Sequence, residues 1–258
     1  KKNIAKDIEN QVISPEFDSV MDGESFAPKA KGNKIIAQVN YLSYLWGFIY
    51  GAWVQFEELM MKDELIQQGR TDITQNQAVI ERAQTILSHT LNTMSYSWPE
   101  GYPSPNLTST IDEENFYASK VNGIFVDALC ILLFHEVCHI KSKHYENWDN
   151  FDDETKIQCE KDCDAFALKV VVADYLDTSV EEYNTKMIAV LMAFATMFFL
   201  LKNPLLINQK KHPDLALRLA NMISFLDIQD NGHLYYIYKF AAIMLRHFRE
   251  IHKKIYDF

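Results

Sequence analysis

The chain has 258 residues, of which 48% are apolar and 23% are charged, so it is neither a disordered protein nor too small to bury a large core. Its formal net charge of −10 repels phosphate backbones, and nucleic acid is therefore excluded as an expected partner. Only 8 glycines and 7 prolines are present, which argues against the many tight turns of a β-sandwich and favours long helices.

The N-terminal segment, residues 1–34, lacks a steady periodicity, so it is predicted to be irregular or weakly β, with a strand at residues 34–39. A helix is predicted at residues 40–68, because aromatic and aliphatic side chains recur there at steps of three and four. A stripe of this kind is typical of a buried core.

From residue 74 onward the pattern is helical, apart from loops such as the proline-containing one at residues 97–109. A further helix is capped by Thr178 and Ser179 and ends near residue 201. The remaining helices are predicted at residues 74–94, 111–144, 154–175 and 233–257, with another beginning at Pro213. We therefore predict one mainly α domain over residues 35–258, with at most a small β element near the N-terminus.

The sequence predicts a cytoplasmic location without a membrane span. The first 30 residues lack the basic start and apolar run of a secretory signal. The 4 cysteines lie in one stretch, residues 130–163, unlike the spread pairs of a disulfide scaffold. The longest apolar run, residues 187–201, has 15 residues where a membrane helix needs about 18. A membrane-associated helical protein stays open as a hypothesis, because two of the helices are strongly apolar.

Residues 135–139 read His-Glu-Val-Cys-His and match the pattern His-Glu-x-x-His on a predicted helix. Because four residues make about one helical turn, the imidazoles of His135 and His139 share one face and can bind one ion. Zinc binds imidazole nitrogens well and promotes hydrolysis without a change in its oxidation state. In such a site Glu136 is the candidate general base. The alternative is a polar patch where the helix reaches the surface.

A catalytic zinc site needs a third protein ligand and one open position. The extended pattern with a third histidine is absent, since Ser142 and Tyr145 stand at its glycine and histidine positions. The next predicted helix carries Glu160 and Asp164, which are four residues apart and share a face. We assign Glu160 as the third ligand and Asp164 as the group that orients a ligating imidazole.

Other assignments stay open at this site. The roles of Glu160 and Asp164 can be exchanged, or Asp162 can be the ligand. Cys159 and Cys163 also share a face, and together with two histidines they would close the coordination of a soft metal. Such a closed site would be structural rather than catalytic.

Two more histidines lie near these motifs. His144 is one residue short of the extended pattern and is predicted to end the helix or to support the site. His212 stands before the helix that begins at Pro213, with Arg218 about two turns further on. His212 is a candidate donor to the substrate oxyanion, with Arg218 or a tyrosine in reserve. A surface histidine and a surface arginine are the alternative.

The order of the motifs resembles that of the gluzincin metallopeptidases of the HtpX type: His-Glu-x-x-His, then Glu-x-x-x-Asp, then His-Pro-x-x-x-x-Arg. The likeness is closer to the phage-exclusion peptidase Lit family, peptidase U49. The aromatic helix with Tyr-Leu-Trp at residues 44–46 and the proline loop with Ser-Trp-Pro at residues 97–99 also resemble that family. The resemblance covers roughly residues 40–225.

The resemblance implies a helical, zincin-like fold of the gluzincin type. It implies zinc bound by His135, His139 and Glu160, with Glu136 as the catalytic base. It further implies that Asp164 supports a ligand and that His212 assists at the substrate carbonyl. We also place Arg218 among the supporting residues of the site.

For the biological role, the resemblance implies a dormant peptidase that cuts host elongation factor Tu once a phage capsid peptide has bound. Such cleavage halts translation and blocks phage spread, which is abortive infection. A hypothesis from another class is a zinc-binding sensor or interaction protein with a structural metal. Glu136 distinguishes the two, because a structural site has no use for a glutamate beside the first ligand.

Overall fold

A computed structural model describes most of the first 200 residues and a few positions beyond them. The described residues are 6, 8–10, 12–14, 17–20, 27–93, 98–106, 109–172, 180–200, 218, 221, 224 and 239–242. They are mainly α-helical with one small sheet near the N-terminus, so the predicted fold class is confirmed.

The helices follow the predicted order with shifts at their ends. They are α1 (Val39–Phe56), α2 (Lys62–Gln67), α3 (Gln77–Thr93), α4 (Asp112–Lys141), α5 (His144–Asn147), α6 (Asp153–Val172) and α7 (Val180–Leu200). A π-helical turn, Glu57–Met61, joins α1 to α2, and a 3-10 turn, Trp148–Asn150, follows α5. The helix predicted at residues 40–68 is therefore interrupted. The proposed caps Thr178 and Ser179, and most of the two helices predicted after residue 201, lie outside the described residues.

The sheet has three strands, β1 (Phe17–Val20), β2 (Lys29–Lys31) and β3 (Lys34–Gln38), in the order β1-β3-β2. β3 coincides with the predicted strand, whereas β1 and β2 are too short for an alternating pattern to show in the sequence. β2 pairs antiparallel with β3 through a tight turn at Gly32, whose φ of 62° suits a glycine.

The chain forms two compact units. Unit 1 comprises Lys1–Leu42 and Val126–Asp227, and unit 2 comprises Ser43–Phe125 and Ile228–Phe258. Two helices, α1 and α4, therefore run from one unit into the other.

In unit 1, the small sheet packs against the last turns of α4. Ile13 and Ile35 form one buried cluster with Val137 and Ile140 of that helix. Because Val137 lies inside the His-Glu-x-x-His pattern, this packing places the sheet beside the candidate motif. The apolar run predicted as a core helix lies in α7, and residues 187–194 of that run are buried.

Unit 2 is built around aromatic side chains of α1, as the stripe predicts. The Trp46 ring stacks on Tyr50 at a centroid distance of 5.3 Å and meets the edge of Trp98 at 5.6 Å. The fully buried members of the predicted stripe in this unit are Tyr44, Leu45, Phe48 and Phe56, whereas Trp53 is only partly buried.

One helix among the described residues, Asp112–Lys141, is long and apolar enough to cross a membrane by length and composition alone. In its apolar window 44% of the residues are buried within the protein. The same helix carries the His-Glu-x-x-His pattern at its C-terminal end.

Candidate metal centre

The last turns of α4 present two imidazoles to a carboxylate in the middle of α6. His135 and His139 lie one turn apart, and their Nε2 atoms are 3.1 Å from each other. Oε2 of Glu160 is 3.4 Å from Nε2 of His135, and its Oε1 is 3.5 Å from Nε2 of His139. The three side chains are only 12%, 11% and 6% exposed, so the donor atoms converge in a buried place.

The three donor groups are spaced like ligands of one tetrahedral ion. A zinc ion with bonds of about 2.0–2.1 Å holds neighbouring ligand atoms about 3.3–3.4 Å apart at the tetrahedral angle. The two Nε2 atoms are 3.1 Å apart, and each lies 3.4–3.5 Å from a different oxygen of the Glu160 carboxylate. One ligand atom from each of the three residues lies within 4.8 Å of the others. His135, His139 and Glu160 are therefore placed to hold a metal ion.

Asp164, one turn after Glu160 on α6, contacts the opposite edge of the His135 ring. Its Oδ1 is 2.9 Å from Nδ1 of His135. Arg218 donates to both oxygens of Asp164, from Nε at 2.7 Å and from Nη2 at 2.6 Å. Asp162, by contrast, is exposed and accepts a hydrogen bond from Gln158. Asp164 and Arg218 thus lie behind His135, while Glu160 faces the two Nε2 atoms.

The carboxylates set the electrostatics of this cluster. Burial lowers the pKa of His135, but hydrogen bonds with Asp164 and Glu160 outweigh it and raise that pKa to about 10. Burial and the charge on His135 lower the pKa of His139 to about 4. Burial raises the pKa of Asp164, but His135 and Arg218 hold it below its ordinary value. The cluster therefore favours one positive charge between its carboxylates and keeps the second imidazole neutral.

Glu136 contacts the edge of the small sheet. Its Oε2 accepts a hydrogen bond of 2.6 Å from the backbone N–H of Ala30 in β2. Burial raises the pKa of Glu136 to about 7. A carboxyl group with a pKa near neutrality can accept a proton and return it within one reaction cycle.

A second group of donor atoms adjoins His139. Lys143 has a φ of 53°, a left-handed conformation that turns the chain between α4 and α5. As a result, Nδ1 of His144 lies 3.1 Å from Nδ1 of His139 and 3.8 Å from Sγ of Cys163. These three residues are the second group in the described part of the chain that is placed to hold a metal ion, and Cys159 belongs to neither group.

Residues 35–241 match the family model Peptidase U49, a range that contains both helices of the candidate centre. The chain belongs to this peptidase family. The expected membership is thereby confirmed, whereas the relation to the HtpX type stays a prediction. No curated protein and no solved structure matches the chain.

This U49 peptidase brings most of its predicted site residues into one place. Those brought together are His135, Glu136, His139, Glu160, Asp164 and Arg218. His212 lies outside the described residues. Sequence reasoning missed Ala30, for which no local signal exists because 106 residues separate it from Glu136. The approach of His144 to His139 was signalled only by its position just after the motif.

Proposed function

We propose that this U49 peptidase is a zinc-dependent endopeptidase whose ion is held by His135, His139 and Glu160. The observation that supports the proposal most is the convergence of two Nε2 atoms, 3.1 Å apart, on the carboxylate of Glu160, whose two oxygens lie 3.4 and 3.5 Å from them. These distances are close to the ligand spacing around one zinc ion. Two imidazoles and one carboxylate are a known donor set of catalytic zinc sites, which keep a fourth position open. When bound there, zinc would act as a Lewis acid and lower the pKa of a water molecule.

Glu136 is the general base in this proposal. The N–H of Ala30 holds one of its carboxylate oxygens, which leaves the other oxygen to accept a proton from the attacking water. The same carboxyl group then returns the proton to the amine that leaves as the peptide bond breaks.

Asp164 is assigned to orient His135. Loss of the Nε2 proton on metal binding would leave a neutral His135, which donates its Nδ1 proton to Asp164 and directs the lone pair of Nε2 toward Glu160. Arg218 balances the charge of Asp164, since two of its nitrogens contact that carboxylate. Arg218 therefore serves as support, and His212 is our candidate donor to the substrate oxyanion, by likeness to the family.

The substrate and the biological role come from the family resemblance. We propose that the protein cuts host elongation factor Tu in the cytoplasm during abortive infection, after a phage-derived peptide has activated it. The net charge of −10 is unfavourable for binding nucleic acid.

The test compares the wild type with Glu136→Gln. Each purified protein is incubated with elongation factor Tu, with and without a phage capsid peptide, and fragments are detected by intact-mass spectrometry. We expect the variant to keep its zinc and its helical circular dichroism but to cut about 10²–10⁴-fold more slowly. Glu154→Gln, an exposed glutamate at the start of α6, is the matched control and should cut like the wild type. Full activity of Glu136→Gln would overturn the assignment.

The substrate is tested separately by comparing bacterial proteomes that express either form. Fragments of another protein, made by the wild type but not by Glu136→Gln, would refute elongation factor Tu while keeping the peptidase proposal.

The alternative is a non-catalytic zinc sensor whose metal is structural. It is favoured by the separate donor group of His139, His144 and Cys163, because mixed imidazole and thiolate ligands are typical of structural zinc sites. It predicts that no protein is cut under any condition and that zinc removal unfolds the chain.

A further inference from the structure

A second metal-binding arrangement lies on the far side of His139 from Glu160. His139, His144 and Cys163 come from three helices, α4, α5 and α6, and one donor atom of each lies within 4.8 Å of the others. Cys163 is fully buried and His139 is 8% exposed, whereas His144 is partly exposed. A small ion could therefore enter past His144.

The fold holds His144 in this position. The left-handed residue Lys143 turns the chain so that α5 begins directly at His144. The ring of Phe151 then meets the His144 ring edge-on at 6.4 Å, and Trp148 meets His139 in the same way at 5.8 Å. His144 is thus packed against the site and is not a freely rotating surface side chain.

The two separations that involve Nδ1 of His144 fit a tetrahedral ion with mixed ligands. With metal–nitrogen bonds of about 2.0–2.1 Å and metal–sulfur bonds of about 2.3 Å, two nitrogens lie about 3.3 Å apart, and a nitrogen lies about 3.6 Å from a sulfur. The two Nδ1 atoms of His139 and His144 are 3.1 Å apart, and Nδ1 of His144 is 3.8 Å from Sγ of Cys163. A donor set of imidazoles and a thiolate selects zinc, copper(I) and similar soft cations rather than magnesium or calcium.

We propose that His139, His144 and Cys163 form a second site for a soft d¹⁰ cation, which competes with the peptidase centre for His139. Binding releases the thiol proton of Cys163 to solvent, because the thiolate is the ligand. The competition part rests on the proposed function, whereas the existence of the site does not.

Competition follows from the chemistry of one imidazole ring. A neutral imidazole offers one lone pair and carries one N–H. In the peptidase centre the lone pair of His139 belongs on Nε2, which faces Glu160, so its proton is on Nδ1 beside His144. An ion at the second site needs the lone pair on Nδ1, and the proton then moves to Nε2. Filling the second site therefore removes one ligand from the peptidase centre.

The test is a titration of the full chain with cadmium. Binding is monitored by the ultraviolet charge-transfer band of a cadmium–thiolate bond. We expect this band in the wild type and in His135→Ala, which damages only the peptidase centre. Cys163→Ser should lose the band, and His144→Ala should need at least about tenfold more cadmium to reach it. Cys159→Ser is the matched control, since Cys159 lies one turn earlier on α6 and is also buried, and it should keep the band.

His144→Ala is informative even if Cys163→Ser fails to fold, because His144 is partly exposed.

Absence of the band in the wild type, its persistence in Cys163→Ser, or its loss in Cys159→Ser would overturn the site. Zinc bound beforehand at the peptidase centre should be released as the band grows, and growth of the band without zinc release would overturn the competition. A protein without peptidase activity can still show the band, so failure of the proposed function is distinguishable.

Discussion

Asp164 receives hydrogen bonds from three nitrogen atoms while it is only 8% exposed. Nδ1 of His135 lies 2.9 Å from its Oδ1, and two nitrogens of Arg218 lie 2.7 and 2.6 Å from its two oxygens. A carboxylate with these partners fixes both the tautomer and the orientation of His135. It should therefore control metal affinity without touching the ion.

Asp164→Asn should weaken zinc binding by about 10- to 100-fold. An amide has only one oxygen, so it cannot accept the hydrogen bonds that His135 and Arg218 donate to the two carboxylate oxygens. It should also lower the free energy of unfolding by up to about 3–5 kcal/mol, since the buried Arg218 loses its closest carboxylate, while Glu160 remains 3.9 Å from its Nη1. Competition with a chromophoric chelator measures the first effect, and urea denaturation measures the second.

The control for this substitution is Asp162→Asn, an exposed position two residues earlier on α6. It should leave zinc affinity and stability unchanged. Equal zinc affinity in Asp164→Asn and Asp162→Asn would refute the orienting role of Asp164.

At the scale of elements, α1 and α3 approach closely where α1 has a glycine. A Cβ built on Gly51 would lie 2.6 Å from Cβ of Leu87 and 3.0 Å from the carbonyl oxygen of Ala83. Backbone atoms and Cβ atoms cannot rotate away from such a contact, so the two helices can pack this closely only because residue 51 has no side chain.

Gly51→Ala should destabilise the fold by about 1–3 kcal/mol, because the added methyl group forces the helices apart. Gly123→Ala is the matched control, since Gly123 is also inside a helix but has no atom within 4 Å of the added Cβ. It should stabilise α4 by about 0.5–1 kcal/mol. Urea denaturation followed by circular dichroism compares them, and a Gly51→Ala variant as stable as the wild type would contradict the close packing.

The π-helical turn between α1 and α2 is a feature that periodicity missed. It accompanies the burial of Glu58, which is 0% exposed. The Glu58 carboxylate accepts hydrogen bonds from the Tyr117 hydroxyl at 2.6 Å, the Lys62 ammonium at 2.6 Å and the backbone N–H of Asn76 at 2.9 Å. A sequence pattern treats a glutamate as a surface residue, because its burial is favourable only once all these partners are in place.

At the scale of the whole molecule, the apolar cores do not depend on a metal ion. Each unit has its own buried residues, such as the cluster around Ile35 and Val137 in unit 1 and the aromatic side chains around Trp46 in unit 2. A catalytic ion bound to such a protein adds stability to a chain that is already folded.

Removal of zinc with a chelator should therefore abolish cleavage and leave the helical circular dichroism in place. Zinc at 100 times its dissociation constant should raise the free energy of unfolding by about 2.7 kcal/mol. Thermal melts with and without chelator measure this shift. Collapse of the helical signal on chelation would instead support the structural-metal alternative.

The local features of this protein were readable from its sequence, because helical periodicity acts over a few residues. The order of the helices, the aromatic core of α1 and the shared face of His135 and His139 all follow from side-chain spacing alone. The family membership likewise came from motifs whose order along the chain needs no coordinates.

Contacts between distant segments were decided by the tertiary structure. Three acidic residues lie within one five-residue stretch, Glu160, Asp162 and Asp164, so sequence spacing leaves each of them open as a metal ligand. The rotation of α6 against α4 decides the choice, because it turns Glu160 toward both Nε2 atoms. The N–H of Ala30 reaches Glu136 because the sheet packs on α4, and His144 reaches His139 because Lys143 adopts a left-handed conformation. Each of these contacts depends on packing of apolar surfaces that are far apart in the chain, and no local pattern encodes how such surfaces rotate against each other.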